Sequence, residues 1–204
     1  PNKTLYFASF VMVGQAAWDF FNRMINGSVK LIVNNRDLVT KVYIPKYILL
    51  FAKSLTYVFK MFISLGLAFG LMIFQGVPLS WHLLLIIPVL MVLYTLCFGI
   101  GMILMHFGVT LNDLSNLTNI VLKMVFYLSG IFYNINERLK GKLGFILLRA
   151  NPIAFIMNEL RKVAIYGKMC SIEGLIIWLV ISLILCAIGI HVIHKNENSY
   201  AKVI

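Results

Sequence analysis

The run from Glu173 to Ile193 constrains this chain more than any other stretch. After Glu173 it holds no Asp, Glu, Lys or Arg, and it has the ~20 residues that an α-helix needs to cross the hydrocarbon of a bilayer. Lipid offers no partners to backbone N–H and C=O groups, so such a run satisfies them internally as a helix. Leu5–Ile25, Tyr47–Phe74, Trp81–Phe107 and Leu117–Ile131 are further apolar runs. The chain is 61% hydrophobic with a mean hydropathy of +0.91, against ~45–50% apolar residues in soluble domains. The expectation is an all-α integral membrane protein, a single transmembrane domain over 1–204 with five transmembrane helices.

The runs carry local signals. In Leu5–Ile25 the polar residues Gln15, Asp19, Asn22 and Arg23 gather in the second half, so that end is expected at an interface, with Trp18, Phe20 and Phe21 in the aromatic belt. Asn26-Gly27 is a turn signal expected to end that helix. Gly66 and Gly70 form a small-xxx-small pair suited to close helix packing. Pro88 predicts a kink in the third run, and Gly99 and Gly101 are thin positions in it. The fourth run is short for a span.

Two polar segments set the topology. In 26–46, Lys30, Arg36, Lys41 and Lys46 outnumber Asp37, which predicts a cytosolic loop. Leu31, Ile32, Leu38, Val39 and Val42 recur at helical spacing there, predicting one or two short amphipathic helices, and Pro45 fits the first turn of the next span. The segment 134–170 is too polar to cross and too apolar for a free loop. Its two apolar patches, Leu143–Leu148 and Pro152–Tyr166, predict two short external re-entrant or interfacial helices. Asn151-Pro152 reads as N-cap and first helical position, with Glu159, Arg161 and Lys162 on the side opposite the apolar face. Five spans put this segment outside while it carries Arg138, Lys140, Lys142, Arg149 and Arg161, against the positive-inside rule. Either the fourth run does not cross, or the external charge has a purpose.

The chemistry-bearing patterns of enzymes are missing. There is no phosphate-binding G-x-x-x-x-G-K-[ST] loop, no H-E-x-x-H, no metal-spaced Cys/His set and no G-x-S-x-G elbow. Cys97, Cys170 and Cys186 read as small buried hydrophobes. His82, His106, His191 and His194 read as interfacial. The net charge of +11 fits basic loops against anionic lipid or an anionic substrate rather than nucleic acid.

Ordered elements then resemble a known family, the membrane permeases of type-2 ABC exporters for lipid-linked polysaccharides and teichoic acids. They are Gly14-x-x-x-Trp18-x-Phe20-Phe21, Asn26-Gly27-Ser28-Val29, Asn34-x-x-x-Leu38, Lys41-Val42-Tyr43-Ile44-Pro45, Leu111-Asn112-Asp113-Leu114, and Asn151-Pro152-Ile153 with Arg161. Ile44, Asn112 and Ser129-Gly130 depart from the common pattern. The resemblance implies six spans per subunit, the first lying before Pro1, and a homodimer in the bacterial plasma membrane with two copies of an ABC ATPase. ATP and Mg would be bound by that ATPase and no cofactor by this chain. It also implies a cytosolic coupling helix within 26–46 and an external gate segment at 134–170.

On that basis the coupling contacts are expected from Asn34, Arg36, Asp37, Leu38, Lys41 and Pro45. The gate residues are Arg138, Lys140, Lys142, Arg149, Asn151, Pro152 and Arg161. Lys53, Lys60 and Lys123 are cations within the apolar runs, where a charge is costly without water or a partner. Lys60 is expected on the translocation pathway against substrate phosphates, with packing against a carboxylate as the alternative. Tyr127, Phe132 and Tyr133 could stack on sugar rings along the same path, or belong to the core. The expected cargo is an undecaprenyl-linked anionic glycopolymer. A permease for drugs or small lipids, a membrane-embedded transferase acting on lipid-linked sugars and a non-transporting assembly factor are the competing readings.

Overall fold

The computed structural model describes residues 6–41, 45–77, 80–111, 113–133 and 148–203. Every regular element among them is helical. In chain order these are α1 (Phe7–Val29), α2 (Leu31–Asn34), α3 (Arg36–Lys41), α4 (Lys46–Phe74), a 3-10 turn (Trp81–Leu85), α5 (Ile86–Thr110), α6 (Leu114–Leu128), α7 (Pro152–Ala164) and α8 (Ile172–Val203). Three stretches are long and apolar enough to cross a membrane: Lys46–Phe74, Trp81–Thr110 and Ile172–Asn196.

The central helix is α1. It packs against α4, α5, α6 and α7, and half of its length is buried. Trp18, Phe20 and Phe21 are therefore core residues rather than an interfacial belt. Trp18 meets Phe126 of α6 edge-on at 5.3 Å, and Phe20 stacks against Tyr94 of α5 at 6.3 Å. The helix does not end at Asn26-Gly27 but runs on to Val29. Gly27 is there for clearance, because a Cβ would collide with the Tyr57 hydroxyl of α4. A glycine inside a helix costs about 1 kcal/mol relative to Ala, and here the close approach of two helices offsets it.

α1 and α4 run antiparallel. At one end Ser9 donates to Gln75 Oε1 at 2.5 Å; at the other the chain passes through α2 and α3. Pro45 lies immediately before α4, where its missing N–H forfeits no intrahelical bond. Pro88 behaves in the same way. It is the third residue of α5, directly after the 3-10 turn Trp81–Leu85, so its missing N–H falls where one helical form gives way to the other. The expected mid-helix kink is thus a helix start.

The most extensive pairing is α5 with α8. Gly99 lies against Leu185 and the Cys186 backbone, and Gly189 against Met102, so that a Cβ at either would crowd the partner. Gly108 is closest of all, against the carbonyl oxygen of Val29. Gly66 and Gly70 have no such neighbours within 4 Å, so their small-residue pair makes no close approach to the described residues. Cys97 and Cys170 are buried and Cys186 half-buried, all as free thiols.

Candidate functional site

At the end of the bundle away from α2 and α3, α7 ties several elements together. Asn151 caps it through its side-chain oxygen, which accepts from the N–H groups of Ile153 at 3.1 Å and Ala154 at 3.3 Å. Pro152 follows at the first helical position, as the sequence predicts. The Asn151 amide also donates to Ser129 Oγ at 3.1 Å, and Ser129 in turn donates to the Val125 carbonyl at 2.6 Å. The start of α7 is thereby fastened to the end of α6.

Arg161 completes the fastening. Its Nη1 donates to the Gly130 carbonyl at 2.9 Å, Nη2 to Ile131 at 2.7 Å, and Nε to Phe10 of α1 at 3.0 Å. The guanidinium lies over the Phe10 ring at 3.6 Å, and Gly14 supplies the space it fills, since a Cβ there would overlap it. Burial lowers its pKa to about 10, so the group stays protonated at neutral pH. Three carbonyl dipoles and an aromatic face replace the water it has lost.

The sequence put Glu159 and Arg161 on the polar side of α7. The structure buries both, at 1% and 4% exposure. Glu159 Oε1 accepts from Lys162 Nζ at 2.6 Å, and Oε2 accepts from the Ser171 N–H at 2.8 Å, just before α8. The reason for the discrepancy is that α7 is covered on more than one side, by α1, α5 and the 3-10 turn. Gly167, at φ +56, then turns the chain toward α8, as glycine allows after a helix. Arg149 is exposed. Arg138, Lys140 and Lys142 lie outside the described residues.

At the opposite end, α2 and α3 form a short two-step element. Leu31, Ile32 and Val39 are buried, whereas Asn34, Arg36, Asp37, Leu38 and Lys41 are exposed. Leu38 retains 45% exposure, an apolar side chain amid polar neighbours. α2 rests on α4 and α5, so the exposed face is carried on an element seated against two span helices. Val42, expected in the apolar pattern, lies outside the described residues.

The expected pathway residues separate into two groups. Lys53 and Lys60 are exposed on one face of α4, with Lys53 Nζ lying 5.9 Å from the centre of the Tyr57 ring. Lys123, Tyr127 and Phe132 are exposed on and after α6. Tyr133 joins them by donating to the Tyr127 carbonyl at 2.9 Å, and Phe126 packs edge-on against both Tyr127 and Phe132. α1 stands between the groups. Ala16, Phe20, Arg23 and Gly27 face α4, whereas Phe10, Gly14 and Trp18 face α6 and α7. At 3.6 residues per turn these two sets lie on roughly opposite sides of the helix.

A groove opens between α1 and α4 with a volume of about 230 Å³. Asp19, Arg23, Tyr57, Lys60 and Ser64 supply its polar lining. The sequence reading singled out Lys60 but not its companions on α1. The available signal was the i, i+4 spacing of Asp19 and Arg23 within an apolar run, which places both on one helix face.

Regular elements that are all helical among the described residues, three apolar spans, a buried cation binding the helices and an exposed step between α1 and α4 define a multi-pass membrane protein. Residues 4–165 match the family model for the ABC-2 type transporter, and the chain belongs to that family. It is a transport subunit whose ATPase is a separate partner. The chain is also similar to a Myxococcus xanthus protein, the O-antigen export system permease protein RfbA. The two are 23% identical over 196 residues, covering 96% of this chain and 75% of that protein.

Proposed function

We propose that this chain is the membrane subunit of an exporter that moves a lipid-linked cell-wall polymer, a teichoic acid or polysaccharide, across the bacterial cytoplasmic membrane. The observation that carries the reading is the similarity to an O-antigen export permease along 96% of the chain. Two copies of this subunit work with two ABC ATPase subunits, which bind the ATP and Mg.

In this reading α1, α4, α5, α6 and α8 are the five crossings. At ~1.5 Å per residue, the 15 residues of α6 span only about 22 Å, short of the ~30 Å of hydrocarbon. α7 then covers the outer end of this short span, consistent with an external gate held by Asn151, Pro152 and Arg161. The exposed α6 side, with Lys123, Tyr127, Phe132 and Tyr133, is assigned to the polymer path. Aromatic faces there suit sugar rings and the cation suits phosphates. The exposed side of α2 and α3, with Arg36, Asp37 and Leu38, seats in the ATPase, and α4 and α5 receive its movement.

The test is reconstitution of the purified subunit with its ATPase in proteoliposomes. A lipid-linked anionic glycopolymer should stimulate ATP hydrolysis and appear inside inverted vesicles. Stimulation by small hydrophobic drugs alone, or no copurifying ATPase, would refute the reading.

A further inference from the structure

We propose that the groove between α1 and α4 is a binding site for the phosphate headgroup of a membrane lipid, separate from the α6 path.

The first argument is depth. Lys60 is fourteen residues into α4, and Asp19 is ten residues before the end of α1. At ~1.5 Å per residue these positions lie roughly 20 Å and 15 Å from the α2–α3 end. With a hydrocarbon core ~30 Å thick, Asp19 and Lys60 stand near mid-membrane depth, and Arg23, six residues before the end of α1 and so roughly 9 Å from that end, lines the same groove. Ionisable side chains there are expensive without water or a partner of opposite charge.

The second is charge. Lys60 and Arg23 are exposed, while Asp19 is half-buried and already accepts from Gln15 Nε2 at 2.9 Å. No ion pair within 4.0 Å joins Asp19 to either cation among the described residues. Two cations against one carboxylate leave the groove net positive. The Tyr57 phenol and Ser64 hydroxyl add neutral donors. Ammonium, guanidinium and hydroxyl groups together are the donor set that phosphate oxygens take.

The third is size and surroundings. About 230 Å³ is below the ~300–1,000 Å³ of a pocket that encloses a drug-sized ligand. It suits a headgroup whose chains stay outside. Ile63 and Leu67, three and seven residues beyond Lys60, share its side of α4 and are 51% and 62% exposed. They offer an apolar strip for an acyl or prenyl chain. Lys53 lies seven residues earlier on the same face, a second cation nearer the α2–α3 end from which a headgroup would enter.

Two lipid sources share this chemistry, a bulk anionic phospholipid and a polyprenyl phosphate. The test is native mass spectrometry of the purified subunit, titrated separately with dioleoyl phosphatidylglycerol and undecaprenyl phosphate. Replacing Lys60 and Arg23 together by Gln should weaken binding of at least one lipid by about tenfold to a hundredfold, the range expected for lost charge-assisted hydrogen bonds. Lys60→Arg should restore part of the loss. Asp19→Asn should tighten binding by removing the repelling charge. Lys168→Gln, at an exposed cation between α7 and α8 and outside the groove, should leave binding unchanged. Loss of one lipid but not the other identifies the source. If the double variant unfolds, Lys60→Gln alone carries the same expectation. Unchanged binding in a folded variant, or equal loss with Lys168→Gln, overturns the proposal. Binding is read without the ATPase, so the site stands or falls independently of the export reading.

Discussion

The guanidinium of Arg161 lies 3.6 Å from the centre of the Phe10 ring while its Nε donates to the Phe10 carbonyl at 3.0 Å. One side chain of α7 thus holds both the backbone and the ring of a residue more than 150 positions away. The same guanidinium donates to Gly130 and Ile131 after α6. Removing it would take away the ties of this side chain to α1 and to the residues after α6 together, so its role is to fix the relation between the C-terminal end of α6 and the central helix.

Arg161→Ala leaves three carbonyls without their donor in a buried site. A loss of about 3–5 kcal/mol is expected, comparable to breaking a buried charged interaction, read as a lowered midpoint of thermal unfolding in detergent. Arg161→Lys should recover only part of this, because an ammonium cannot reproduce the planar fork. The folded pKa of about 10 lies below the ordinary arginine value, so the unfolded chain binds more protons only between the two. Stability rises with pH in that window alone, and this group should contribute no pH dependence between pH 6 and 9.

The glycines divide into two classes with opposite expected outcomes. Gly108→Ala would drive a Cβ into the Val29 carbonyl, a backbone atom that cannot rotate away. It should disturb the junction of α1 with α5 and lower the melting temperature. Gly66→Ala and Gly70→Ala meet open space in the subunit and should be neutral or slightly stabilising through helix propensity. If the subunit self-associates on gel filtration and these variants weaken it, that face of α4 belongs to the contact between copies.

Asn151 has two separable jobs. Asn151→Asp keeps the oxygen that caps α7 but removes the amide donor to Ser129. Asn151→Ala removes both. The cap alone is worth about 0.5–2 kcal/mol, so Asp should be the milder variant by about that amount. Ser129→Ala should match Asp rather than Ala, measured by the same thermal unfolding.

The span helices were legible because a run such as Gly174–Ile193 has one physical solution in lipid. The Asn151-Pro152 start of α7 was legible for a similar reason, since a side-chain cap and a missing N–H are local chemistry. What the sequence did not disclose was which side of each helix faces protein. Trp18 and Phe20 have the composition of an interfacial belt, yet α5 and α6 cover them. Arg161 has the composition of a surface cation, yet its partners are carbonyls at positions 10, 130 and 131, which no residue type reveals. The groove residue Arg23 was hidden in the same way, because Lys60 and Tyr57 meet it only once α1 and α4 pair.

The step between α1 and α4 gives the sharpest contrast within one short element. Ile32 is fully buried, and Leu38, six residues on, is 45% exposed. Ile32→Ala should cost about 2–5 kcal/mol as a core truncation and weaken the subunit with or without its ATPase. Leu38→Ala should change stability by no more than about 0.5 kcal/mol, as surface substitutions do. If the exposed side of α3 seats in the ATPase, Leu38→Ala and Leu38→Asp should nevertheless reduce ATPase copurification and transport-linked hydrolysis, the Asp variant more strongly. A folded Leu38→Asp subunit that assembles and hydrolyses like the parent would remove α3 from the contact. The apolar surface at Leu38 would then face lipid, and force would have to reach α4 by another route.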